Sequence, residues 1–265
     1  MNTFTDFKVE EMSMEAYHAH PAYNNSKINL ALDKSIKHML LDAHEPTDAM
    51  AFGSAFHEAL LEPEKFKCTL LPQGDKRTKE YKDAMANLNV VGHLLSDNDL
   101  QTLNDMLESV KSNLKLKQVL DAKTWVERAI FATHIDTGLR VKIRPDFYTE
   151  KYKGIAIDVK TTTDASPQKF KGSIYNFRYY RSYALYYVIM RDASEALGFP
   201  FNDYRLLAVE KTAPYGVTAW YMNDYLLIKG REEYTKGLLK ISKYAKTGVV
   251  DGYLNEDGSF TFECL

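Results

Sequence analysis

The chain has 265 residues, 45% hydrophobic and 26% charged, and its 34 basic and 36 acidic side chains leave a net charge of −2, which argues against a protein that coats nucleic acid over its whole surface. No run approaches the ~20 apolar residues that span a bilayer, and the start MNTFTDFKVEEMS is polar and acidic where a secretory signal is basic and then apolar, so a cytoplasmic protein without membrane association is expected. Its two cysteines, Cys68 and Cys264, are too few and too far apart for a disulfide framework, a four-thiolate zinc site or an iron–sulfur cluster.

No repeat, low-complexity block or Pro/Gly/Ser-rich linker divides the sequence, which reads as a single domain over 1–265 with a mainly helical part (1–124) and a sheet-containing part (125–265). Ser26 is placed to cap a helix KINLALDKSIKHMLLDA, Asp48 a second through AMAFGSAFHEALLE to Pro63, and Ser96 a third through DNDLQTLNDMLESVKSN. From Trp125 the apolar period changes to two: WVERAIFAT, GLRVKIRPD and GIAIDVKTT read as strands of a meander, with turns at Asp136–Gly138 and Lys151–Gly154. A long amphipathic helix NFRYYRSYALYYVIMRDASEALGF follows, then a hairpin DYRLLAVEKTAPYGVTAWYM turned at Pro214 to Gly216. NDYLLIKGREEYTKGLLKISKYAKTG closes the chain as a helix. Helices, then antiparallel strands, a helix and more strands predict an α/β or α+β fold, a central mixed sheet flanked by helices.

In GIAIDVKTT the period of two puts Ile155, Ile157 and Val159 on one face and Ala156, Asp158 and Lys160 on the other, the face opposite the core. The preceding strand ends at Pro145 and Asp146, and a short turn allows Asp146 to approach Asp158. Two carboxylates beside one lysine make a hard-oxygen site suited to Mg²⁺ or Mn²⁺. Such a site supports phosphodiester hydrolysis, with one or two ions polarising the phosphate and the lysine orienting water or neutralising developing charge. The same spacing, D-x₁₁-D-x-K, equally fits a surface hairpin with a cross-strand Asp/Lys pair.

Three segments in order, FGSAFHEALLEPEKF (52–66), DTGLRVKIRPD (136–146) and IDVKTTTDASPQKFKGSIYNFRYYRSYALY (157–186), resemble the nuclease domain of RecE-type exonucleases (exonuclease VIII). The chain is thereby similar to the PD-(D/E)xK nuclease superfamily, which includes phage lambda exonuclease and RecB-type nuclease domains. The resemblance implies that Asp146 and Asp158 ligate metal, that Lys160 is catalytic and that the Val159 carbonyl is an extra ligand. The family's G-x-x-x-H helix matches Gly53 to His57, with His57 completing the metal site. Glu127 matches a glutamate on the strand leading into the site. It is either a second ligand, a holder of metal-bound water, or an edge salt bridge to Arg128 or Arg140. Tyr186 stands at the tyrosine of the Q-x-x-x-Y pattern, whose glutamine position holds Ser182 here. Tyr179, Ser182, Tyr183 and Tyr186 also fit plain helix packing.

Further implications of the resemblance are 5′–3′ degradation of one strand of duplex DNA from an end and a toroidal homo-oligomer, trimer or tetramer. The exposed 3′ strand would pass to a RecT-like single-strand annealing protein, in a bacterial cytoplasm and from a phage or prophage gene pair. Between Arg140 and Arg181 ten basic residues stand against four acidic ones, a local +6 that leaves −8 for the rest. A ring could turn that basic face inward, with Arg140, Lys142, Arg144, Lys169, Lys171, Arg178 and Arg181 as a phosphate track. The rivals are a RecB-like or restriction-type endonuclease or single-strand nuclease, and a non-catalytic DNA clamp on the same fold.

Overall fold

The computed structural model describes residues 2–41 and 47–250. The C-terminal segment NEDGSFTFECL, with Cys264, lies outside them. Strand β1 (Phe4–Glu10) is followed by helices α1 (Met14–Ala19), α2 (Asn25–Asp33), α3 (Ile36–Leu41) and α4 (Asp48–Leu61). Two three-residue strands, β2 (Cys68–Leu70) and β3 (His93–Leu95), pair in parallel around α5 (Lys79–Ala86), and α6 (Asp97–Ser112) and α7 (Leu114–Leu120) complete the first part. Then come β4 (Trp125–Val126), β5 (Ala129–His134), β6 (Arg140–Ile143), β7 (Phe147–Thr149) and β8 (Ile155–Thr162). Helices α8 (Pro167–Asn176) and α9 (Tyr179–Leu197), the hairpin β9 (Asp203–Glu210) and β10 (Val217–Trp220), and α10 (Asp224–Thr247) finish the fold.

Local chemistry sets most boundaries. Ser96 caps α6 in a full capping box with Asp99. The first two expected caps fall elsewhere: Asn24 caps α2 and Thr47 caps α4, each accepting from the N–H three residues on. The helix expected from 27 to 43 stops at Asp33 and restarts at Ile36. Asn223 and Gly248 bracket α10, the glycine with φ +68 as the left-handed C-cap.

The predicted meander is divided between two sheets. Strands β5 and β6 pair with each other and with β1 in the order β1-β5-β6, while β7 and β8 belong to a five-stranded mixed sheet ordered β10-β9-β8-β7-β4. In the latter β8 runs parallel to β9 and antiparallel to β7. The first sheet depends on the N-terminus, which the buried Asp192 of α9 anchors by accepting from the Thr3 and Phe4 N–H groups at 2.7 and 3.0 Å.

Both faces of β8 are covered. Ile157 and Val159 pack with Phe56, Leu60 and Met106 on the side of α4 and α6, and Ala156 packs with Tyr180, Ala184 and Val188 on the side of α9. The Asp158 face is therefore not the solvent face that alternation alone suggested, and Asp158 is only 9% exposed. No helix among the described residues is long and apolar enough to cross a membrane.

Candidate active site

The site forms where β7 stops short of β8. Their pairing ends at Phe147 opposite Ile157, whereas β8 continues beside β9 to Thr162, so among the described residues the β8 edge at Asp158 to Lys160 has no strand neighbour on that side. Asp146, just before β7, fills part of the gap: its Oδ2 accepts from the Val159 N–H at 2.5 Å. Because a strand residue's N–H and C=O leave on the same edge, the Val159 carbonyl is directed there too. From α4, His57 places Nδ1 3.6 Å from the same Asp146 oxygen. Gly53, one turn earlier, lies over β8, yet a methyl there would sit 3.5 Å from Thr161 Oγ1, an ordinary contact; the strand's approach does not require glycine.

Glu127 enters from a break in the chain. The expected continuous strand WVERAIFAT is interrupted there, because Glu127 has φ +52, a conformation costing a non-glycine residue on the order of 1–2 kcal/mol. That turn ends β4 and sends the chain to β5 in the other sheet. Glu127 is fixed three ways: its N–H donates to the Asp146 carbonyl at 3.0 Å, and Arg144 Nε donates to its carbonyl at 2.8 Å and meets its carboxylate at 2.9 Å. Ligand atoms of His57, Glu127 and Asp146 all lie within 4.8 Å of one another. Asp158 stands beside this trio and turns to Lys160, with which it forms an ion pair.

The electrostatics are those of crowded, half-dry carboxylates. Burial, then the nearby Asp146 charge, pushes the Glu127 carboxyl up to about 8. Burial raises Asp146 as well. For Lys160 burial opposes the ammonium, but Asp158 and Asp146 outweigh it and hold the pKa above that of an ordinary lysine. Lys160 Nζ also lies 5.5 Å from the centre of the Tyr179 ring.

The residues 30–253 match the family described as a PDDEXK-like domain of unknown function, DUF3799. The chain belongs to this PDDEXK-like family. Among solved structures, a candidate exonuclease from Eubacterium rectale is similar over 97% of this chain and 96% of its own, with a TM-score of 0.64 and 10% identity, a likeness of fold. Comparison with the curated proteins gives no match. The PDDEXK-like match and the architecture agree with the expected fold, a mixed sheet flanked by helices.

PDDEXK nucleases generally use divalent metals, and the residues of this PDDEXK-like site fit one. Three enclosed carboxylates, Glu127, Asp146 and Asp158, face two fixed cations, Arg144 and Lys160. Asp146 is the one whose partners are a backbone N–H and a histidine rather than a fixed cation. The buried Asp158 Oδ2 meets the Lys160 ammonium but has no hydrogen-bond donor of normal geometry among the described residues. One imidazole nitrogen with several carboxylate oxygens is a donor set for Mg²⁺ or Mn²⁺.

The expected phosphate track is reduced. Arg181 is 2% exposed and bound to Asn29, Asp33 and Glu233, and Lys142, 1% exposed, donates to the Tyr17 and His20 carbonyls. Both cations are consumed inside the protein, so neither can face DNA. Arg144 is turned inward to Glu127, and Arg140 reaches the Asp6 carbonyl at 2.5 Å and Thr133 at 3.1 Å. Lys169, Lys171 and Arg178, on α8 and just after it, are exposed. On α9 the Ser182 hydroxyl donates to the Tyr179 carbonyl, and the Tyr186 ring packs 5.5 Å from Tyr204. Two contributors had no readable sequence signal: Arg144 as the holder of Glu127, and Tyr179 beneath Lys160. Only their three-dimensional neighbours give them these roles.

Proposed function

We propose that this chain is a metal-dependent DNA exonuclease of the RecE type, degrading one strand of linear duplex DNA in the 5′–3′ direction to expose a 3′ single strand for annealing. The observation that carries the reading is the meeting of Asp146, Glu127 and His57 with the Asp158–Lys160 pair at the uncovered edge of β8. The three ordered motifs that resemble RecE-type nuclease domains supply the polarity and the substrate.

His57, Glu127, Asp146 and Asp158, with the Val159 carbonyl, would hold Mg²⁺ or Mn²⁺, one ion or two. A bound divalent ion supplies Lewis-acid polarisation of the scissile phosphate. Lys160, kept protonated by its carboxylate neighbours, hydrogen-bonds the phosphate oxygens and offsets charge as it builds on phosphorus. Asp158 fixes the lysine's position. Asp146 is held by the Val159 N–H and Glu127 by Arg144, so both carboxylates are oriented before substrate arrives.

The proposed assembly is a homo-oligomeric ring of three or four copies around the duplex, acting with a RecT-like annealing protein. The acidic balance outside 140–181 and the exposed Lys169, Lys171 and Arg178 support a basic lumen. Linear duplex labelled at the 5′ or 3′ end and covalently closed circles, each incubated with Mg²⁺, test the reading. Early release of the 5′ label with circles untouched is expected. Cutting of circles would replace it with a restriction-type endonuclease, and DNA binding without any hydrolysis would replace it with a clamp.

A further inference from the structure

Between α8 and α9 the chain presents an aromatic ring that the metal site does not use. Phe177 follows α8, and Arg178, next to it, has φ +57, a conformation that side-chain-bearing residues rarely adopt. This turn interrupts the helix that the sequence pattern runs straight through from Asn176, and it leaves Phe177 64% exposed. A phenylalanine that only had to pack would gain by being covered.

The exposed ring is the outer end of a row that begins in the core. Trp220 lies 5.5 Å from Phe170, Phe170 6.1 Å from Tyr179, and Tyr179 5.5 Å from Phe177 at an interplanar angle of 30°. Tyr179 is also the ring that faces the Lys160 ammonium. One tyrosine therefore separates the lysine proposed to contact the phosphate from a flat apolar surface open to solvent. The residue next to that ring in the chain is a cation: Arg178 is exposed, and among the described residues its side chain donates to the Tyr175 carbonyl at 3.1 Å. A flat ring, adjacent positive charge and a phosphate-contacting lysine one residue inward match one kind of ligand. That ligand carries an uncharged planar group on an anionic backbone, as a nucleotide strand does. Bases inside a duplex are stacked on one another, so only a terminal or unpaired base can use such a ring.

Resting on the nuclease reading for the identity of the strand, we propose that Phe177 is a stacking platform for an unpaired DNA base and selects ends and single-stranded segments at this site. The ring holds the base while the attached backbone passes Tyr179 toward Lys160. The test is binding rather than turnover, on the full chain in EDTA. Single-stranded oligonucleotides with all bases intact are compared with oligonucleotides carrying one abasic nucleotide at successive positions from the 5′ end. The wild type is expected to lose roughly tenfold in affinity when one particular position is abasic, within the range of a single base–aromatic stack. Phe177→Leu, apolar but without a π-face, should bind the intact strand roughly tenfold more weakly and be indifferent to that abasic position. Phe177→Tyr should behave as wild type. An undiminished affinity of Phe177→Leu for the intact strand, or a full abasic penalty in that variant, would overturn the proposal. Nucleotide release with Mg²⁺ is read separately: a wild type that shows the abasic penalty but releases nothing loses the nuclease reading and keeps the stacking site.

Discussion

At the scale of single residues, position along the chain says little about what a charge does. Arg178 and Arg181 are three residues apart, and only the first is exposed. The second donates to Asn29, Asp33 and Glu233 and ties α9 to α2 and α10. Arg181→Ala would strand two carboxylates and leave a void. Water already reaches Asp33 and Glu233, whose side chains are 40% and 23% exposed, so the cost should fall below that of a fully buried pair. About 2 kcal/mol is expected, a drop in Tm of roughly 4–8 °C. Arg178→Ala should leave Tm unchanged and weaken DNA binding, so thermal melts with binding isotherms separate the two roles. Equal melts for both variants would remove the structural assignment of Arg181.

At the scale of elements, the site depends on what strands fail to do. A longer β7 would cover the β8 edge where Asp146 now sits, and an unbroken β4–β5 strand would carry Glu127 past the site instead of turning at it. The helices behind the sheet meet closely where a side chain is missing: a Cβ at Gly230 of α10 would lie 2.4 Å from the Tyr180 carbonyl oxygen of α9. Gly230→Ala must push these helices apart and should cost about 1–3 kcal/mol, seen as a lower denaturant midpoint with the slope retained. An unchanged midpoint would mean the helices can separate freely. Much of this architecture was readable: the strands at Arg140–Ile143 and Ile155–Thr162, the β9–β10 hairpin, the closing helix α10, and the convergence of Asp146 on the Asp158–Lys160 strand. What escaped reading is non-local. The pairing of β1 with β5 follows from the anchorage of Thr3 and Phe4 by Asp192, almost 190 residues away. The alternation of Arg140, Lys142 and Arg144 looks like a solvent face until Tyr17 and His20 are found against Lys142 and Tyr23 is found pairing with the strand's edge. Neither pairing is encoded in local periodicity.

At the scale of the molecule, the surviving exposed cations predict how tightly DNA is held. With Lys142 and Arg181 withdrawn and Arg140 and Arg144 largely engaged, Lys169, Lys171 and Arg178 are the exposed residues left to the proposed phosphate track from the original seven. Removing these three charges should flatten the dependence of log K on log salt by roughly 2–3, about one per phosphate contact, without altering the fold. A slope unchanged in the triple variant would place the DNA on another face. The central claim is that the acids gathered at the β8 edge and Lys160 make this PDDEXK-like chain a metal-dependent nuclease. Release of nucleotides from end-labelled linear duplex with Mg²⁺ and with EDTA, by wild type, Asp158→Ala and Lys160→Ala of matched circular dichroism, tests it most directly. Wild-type release that requires Mg²⁺, and none from either variant, is the predicted result; undiminished digestion by both variants would contradict the account.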